Sequence, residues 1–144
     1  EPGQAGATRD SPSFVPRRVL VVDDNVDAAE SLAELLAMKG HETRASTEPR
    51  AALALASSFS PEVVLLDIGL PEIDGYQVAR TLRRMPATRG ALVVAVTGYG
   101  QPEDCKASRA AGFDHHLVKP VNLQQLEELI EAAPGAGAQG TLSY

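Results

Sequence analysis

Five short runs rich in apolar, often β-branched residues recur along the chain, and each is followed by apolar residues at helical spacing. The clearest are Val19-Leu20-Val21-Val22, Val63-Val64-Leu65-Leu66 and Ala91-Leu92-Val93-Val94-Ala95-Val96; residues 42–45 and 113–118 make weaker ones. Continuous apolar runs, as opposed to alternating ones, belong to strands covered on both sides. Parallel neighbours need crossover connections, and the intervening segments have the length and pattern of helices. The expected class is therefore α/β, a five-stranded parallel sheet with helices on both faces.

The helical segments carry recognisable punctuation. After the first run, Val26, Ala29, Ala33 and Leu36 form a stripe broadened by Leu32 and Leu35, capped by Asp24 or Asn25 and stopped at Gly40. Ser46-Thr47-Glu48-Pro49 opens a second helix with Ala52, Leu53 and Ala56 inward, closed by Phe59 and Pro61. Asp74 caps a third with Tyr76, Val78, Ala79 and Leu82, ended by Pro86. A fourth is expected over 102–111, stopping at Gly112, and a fifth after Asn122 with Leu123, Leu126, Leu129 and Ile130 inward. Residues 1–16 and 134–144, rich in Gly, Ala, Pro and Ser, are expected to be linker or tail around one domain over 17–133.

Composition narrows the function classes. The 144 residues suffice for one domain with a proper core. A net charge of −6 disfavours direct contact with nucleic acid, whose phosphates attract basic surfaces. No apolar run approaches the length of a bilayer span. Cys105 stands alone, so no internal disulfide can form and a reducing, cytoplasmic setting is expected. Because the chain opens on Glu1 without Met or a signal-like pattern, an excised fragment is expected.

The chemistry is expected where the buried runs end. In open parallel sheets the ligand site lies at the carboxyl ends of the strands. Asp23 and Asp24, Asp67, Thr97 and Lys119 all occupy such ends. Asp67 is the centre, because a carboxylate at the end of a buried strand needs a cation or donors. Converging carboxylates either hold a proton or bind a divalent ion, and oxygen-only ligands point to Mg²⁺ or Mn²⁺. A metal, a lysine and a hydroxyl around an acidic nucleophile suit phosphoryl transfer onto Asp67.

Four segments in order, VLVVDDN, VVLLDIGLPEIDGY, VVAVTGYG and LVKPVN, closely resemble the receiver domain of two-component response regulators. The resemblance covers residues 18–133 and implies a (βα)5 flavodoxin-like fold with strand order 2-1-3-4-5. It implies that Asp67 takes a phosphoryl group from a phosphohistidine, on a histidine kinase or a phosphotransfer protein. Asp23, Asp24, Asp67 and the Gly69 carbonyl would hold Mg²⁺, Thr97 would be the switch hydroxyl, and Lys119 would neutralise the phosphoryl group ahead of a cis Pro120. The catalysis implied is confined to the domain's own phosphoryl transfer and hydrolysis. The wording of TGYGQPEDCKASRAAGFDHHLVKP further resembles receivers at the C-terminus of hybrid sensor histidine kinases, which implies tethering to a membrane sensor in a longer protein. One position departs from the family's pattern: His116 stands where a Tyr or Phe usually reports phosphorylation, which makes the imidazole the candidate switch.

Plainer readings stand beside these. Asp23 and Asp24 alone could be helix caps, Asp67 a loop acid and Lys119 a surface lysine, but those readings leave their shared sheet edge unexplained. His115 and His116, adjacent on a strand, point to opposite faces and cannot chelate one ion. His41 is expected at the surface, Cys105 as an ordinary half-buried thiol, and Arg80, Arg83 and Arg84 with Arg89 on an exposed helix face. The rival functions are an FMN carrier, which the Asp23-Asp24 pair opposes, and an aspartyl-intermediate phosphatase, which lacks an acid at Gly69. A vestigial adaptor with a dead acidic site is the remaining alternative.

Overall fold

The computed structural model describes residues 16–68, 75–97 and 109–133. Its elements are β1 (Arg18–Val22), α1 (Val26–Met38), β2 (Glu42–Ser46), α2 (Pro49–Phe59), β3 (Val63–Asp67), α3 (Gly75–Arg84), β4 (Leu92–Thr97), β5 (His115–Val118) and α4 (Leu123–Ala132). All strand pairings are parallel, in the order β2-β1-β3-β4-β5. The helix expected over 102–111 is described only at 109–111, which are helical, and Gly112 follows with φ 109°. The leader before Pro16, the cap at Asp74, Gly69, Cys105 and the tail after Ala133 lie outside the described residues.

The sheet separates two apolar layers. Leu20, Val22, Val64, Leu66, Val93 and Ala95 meet α2 and α3, together with Ala111 and Phe113. The alternate residues Val19, Val21, Val63, Leu65, Val94 and Val96 meet α1 and α4. Strands β1, β3 and β4 are thus buried on both sides, which is why they read as unbroken apolar runs.

Helix ends follow their sequence signals with some selection among candidates. Asn25, and not Asp24, caps α1, its side chain accepting from the Ala28 amide at 2.9 Å. Asn122 caps α4 in the same way from Gln125 at 2.9 Å. Helix α2 starts with Pro49 in its first turn and no side-chain cap from Glu48; Ser46 Oγ instead ties down the Glu48 backbone. Val26 lies at the mouth of the first turn of α1 and is 50% exposed, so it leaves the expected buried stripe. Strand β5 begins at His115 and not at residue 113, because Asp114 donates its amide to Val93 O while its carboxylate takes the Val93 amide.

Two expectations about surface residues are corrected. His41 is buried: Nδ1 accepts the Arg17 amide at 3.1 Å and Nε2 lies 3.2 Å from Glu127 Oε1 on α4. Arg83 belongs to the architecture, not to an exposed helix face. Its guanidinium donates to the carbonyls of Arg89, Ala91 and Gly112 and to Asp114 Oδ2 at 2.6 Å.

Candidate functional site

Parallel register assembles the site. Val22 pairs with Leu66, Asp67 with Val96, and Thr97 with Val118, so Asp23, Asp67, Thr97 and Lys119 stand within two residues of one level along the same sheet edge. Asp23, Asp67 and Thr97 follow or end buried strands whose apolar residues hold them in place, whereas Lys119 follows the edge strand β5, of which only Leu117 is buried. By strand alternation Asp23, Asp67 and Lys119 continue the rows of Val21, Leu65 and Leu117 on the α1/α4 side, whereas Thr97 and His116 take the opposite parity.

Asp67 is 2% exposed and Asp23 7%. Burial at that level requires compensation. Lys119 supplies it: Nζ donates to Asp67 Oδ2 at 2.6 Å and to Asp23 Oδ2 at 3.2 Å. Burial by itself lowers the pKa of the Lys119 ammonium, but its hydrogen bonds to Asp67 and Asp23 and their charges outweigh that, and the pKa is raised. Lys119 is held in position by its own amide, which donates to Thr97 O at 2.8 Å. The Lys119-Pro120 peptide is cis, as the resemblance implied.

The remaining Asp23 oxygen accepts the Asn25 amide at 2.9 Å, which points the acid back toward the sheet edge as the chain turns into α1. Asp24 is exposed. Three carboxylates were expected to converge; instead Asp23 and Asp67 close on a lysine, and among the described residues no group of three metal-ligating side chains is assembled.

Thr97 is 3% exposed and its hydroxyl donates to Leu117 O across 3.5 Å, a long hydrogen bond. A contact at that distance is weak and readily exchanged. His116, one residue earlier on the edge strand, is half-buried against Phe113 at 6.3 Å between ring centroids, and Phe113 in turn meets Tyr76 edge-on at 5.9 Å. Between α1 and α4 a groove of about 620 Å³, walled by Leu32, Leu35, Val121 and Leu123, opens onto Asp67 and Lys119.

An acidic pair bridged by a lysine, a threonine on the next strand and a cis proline, in that topological order, coincide with a match to the response regulator receiver domain over residues 19–131. The chain belongs to this receiver-domain family. It is 30% identical to the polar-differentiation response regulator DivK of Brucella anthropi over 84% of this chain and 98% of DivK. It is 32% identical to the virulence sensor protein BvgS of Bordetella pertussis over 97% of this chain but only 12% of BvgS. Likewise it spans 25% of the regulatory protein AtoC of Escherichia coli, at 34% identity. Among solved structures, a CheY-like receiver domain protein from Methanospirillum hungatei superposes with a TM-score of 0.72 at 29% identity, covering 81% of this chain and 92% of that one. The chemotaxis response regulator CheY4 of Vibrio cholerae gives 0.71 at 25% identity, covering 80% and 99%. The receiver is a phosphoacceptor signalling domain of two-component systems, a family that is generally Mg²⁺-dependent and works with histidine kinases or phosphotransfer proteins. No helix among the described residues is long and apolar enough to cross a membrane.

Proposed function

We propose that Asp67 is the phosphoacceptor of this receiver, supplied by a phosphohistidine on a kinase or phosphotransfer protein. One Asp67 oxygen attacks phosphorus, the P–N bond breaks, and the imidazole leaves with its electron pair. The observation that carries this reading is the position of Lys119 Nζ, 2.6 Å from one buried carboxylate and 3.2 Å from another at the edge of four strands. The ammonium already sits where charge gathers on a transferred phosphoryl group.

The donor set suits magnesium: oxygen ligands only, few carboxylates, and room for water. Asp23 and Asp67 would hold it, with Asp24 and the Gly69 carbonyl alongside; when bound, it draws charge from the phosphoryl oxygens. Thr97 exchanges its long bond to Leu117 O for a phosphoryl oxygen, and His116 follows as the switch side chain. An imidazole offers less apolar area than the usual aromatic ring, so its inward packing against Phe113 is weaker. The domain proper in this reading is residues 17–133; a receiver of a hybrid sensor kinase, for which the 32% identity to BvgS speaks, and a free-standing regulator are its two settings.

Intact mass after incubation with acetyl phosphate and Mg²⁺ tests the assignment. A base-labile phosphoryl adduct is expected in the unmodified protein, and none in Asp67→Asn or with EDTA. An adduct that survives in folded Asp67→Asn would overturn it.

A further inference from the structure

Among the described residues, exposed charge differs between the two faces of the sheet. On one side Arg80 and Arg84 of α3, Arg89 in the turn after it and Arg109 are exposed, and among the described residues none pairs with a carboxylate. Arg83 lies among them, but its charge is met by Asp114 and its other donors pin the carbonyls of Arg89, Ala91 and Gly112. These bonds tie the backbone that carries Arg89 to that which leads on from Arg109, around a cavity of about 390 Å³.

On the other side Asp27, Glu30 and Glu34 of α1 and Glu128 and Glu131 of α4 are exposed, and neither helix contains Lys or Arg. The same face exposes apolar surface: Leu35 is 42% and Met38 82% exposed, both on α1. Because α3 packs on one side of the sheet and α1 and α4 on the other, these surfaces cannot meet within one molecule. Exposed arginines are complemented by an acidic protein surface that adds apolar contact area, and the α1/α4 face offers both.

We propose that a second copy of this chain supplies it, the arginine end of one copy seating on the α1/α4 face of the next. The contact is heterologous, so it propagates head to tail and does not close as a symmetric pair. It covers the approach to the groove beside Asp67, yet it stands independently of the phosphorylation reading.

Sedimentation velocity of the full chain tests this at about 0.01 M and about 1 M salt, where screening lengths are roughly 30 Å and 3 Å. Association is expected at low salt and monomer at high salt. Arg80→Glu/Arg84→Glu and Glu30→Arg/Glu34→Arg are each expected to weaken self-association roughly tenfold or more, and an equimolar mixture of the two to restore it. Arg44→Glu/Arg50→Glu, with the same change of net charge on α2 and β2, is expected to leave it unchanged. Monomer at every salt, association that persists in Arg80→Glu/Arg84→Glu, or equal loss in the Arg44/Arg50 control overturns the proposal. So does binding of a Glu-rich peptide to the arginines without any self-association. Labelling by acetyl phosphate, read separately by intact mass, reports whether each variant keeps a working Asp67.

Discussion

At Asp67 and Lys119 two opposing costs have been set against each other. A carboxylate 2% exposed and a partly buried ammonium would each be unfavourable alone, and at 2.6 Å they answer one another. Lys119→Met should therefore do more than remove a positive charge: it leaves Asp67 and Asp23 facing each other, and acetyl phosphate labelling should fall at least tenfold by intact mass. The lysine also has a pH signature. Its pKa is raised in the folded state, so its contribution is fully present below the unfolded lysine value of about 10.4 and is lost as pH rises through the folded value. Thermal melts of the unmodified protein and Lys119→Met should converge only in that alkaline window, and stay separated by a constant gap from pH 6 to about 9. Melting curves that stay parallel through the whole alkaline range would mean that the ammonium is not coupled to folding. Glycine positions near the site are equally specific. A Cβ at Gly75 would overlap the Ile68 side chain that follows Asp67, so Gly75→Ala should perturb the phosphoacceptor loop more than the helix.

Arg83 shows how one side chain can organise elements. Its guanidinium joins the last turn of α3, the turn into β4 and the turn into β5, where a buried Thr88 hydroxyl also closes α3 on Leu82 O at 2.6 Å. Arg83→Ala leaves several partly buried carbonyls without donors and should lower stability by about 2 kcal/mol in urea titrations. Gly112→Ala should cost a similar amount for two reasons that add: φ is 109°, and the new Cβ would lie 2.6 Å from Arg83 Cγ. At the far side of the sheet, His41 joins Arg17 at the entry of β1 to Glu127 of α4. His41→Ala should destabilise by about 2 kcal/mol without changing labelling at Asp67, since the cluster lies at the opposite end of the strands. Amide exchange localised to α4 and residues 16–18 would check that placement.

The whole molecule is one sheet serving two cores. Leu36 of α1 and Leu82 of α3 are 0% and 1% exposed and lie in different clusters, yet both rest on β1, β3 and β4. Leu36→Ala and Leu82→Ala should each cost about 3 kcal/mol and move the same single unfolding transition. The double variant should be additive, because the sites share no contact across the sheet. Two separate transitions in either variant would show that the faces unfold independently.

Local patterning carried much of this protein. Buried runs such as Val63–Asp67 are apolar throughout because both of their faces are covered, and that property is written in the residues themselves. Caps such as Asn122 and the strand-end placement of Asp67, Thr97 and Lys119 are equally local, so both the α/β class and the candidate site were legible before any coordinates. What only the tertiary structure decided are matters of partners distant in sequence. That Asp23 and Asp67 meet Lys119 while Asp24 is exposed depends on strands far apart in sequence. His41 reads as a surface residue until Glu127, 86 positions later, is brought beside it. Arg83 reads as one of a solvated row until the turns at Ala91 and Gly112 offer it their carbonyls. The same divide separates the number of charges, which composition states, from their sorting onto opposite faces, which the crossover connections alone determine.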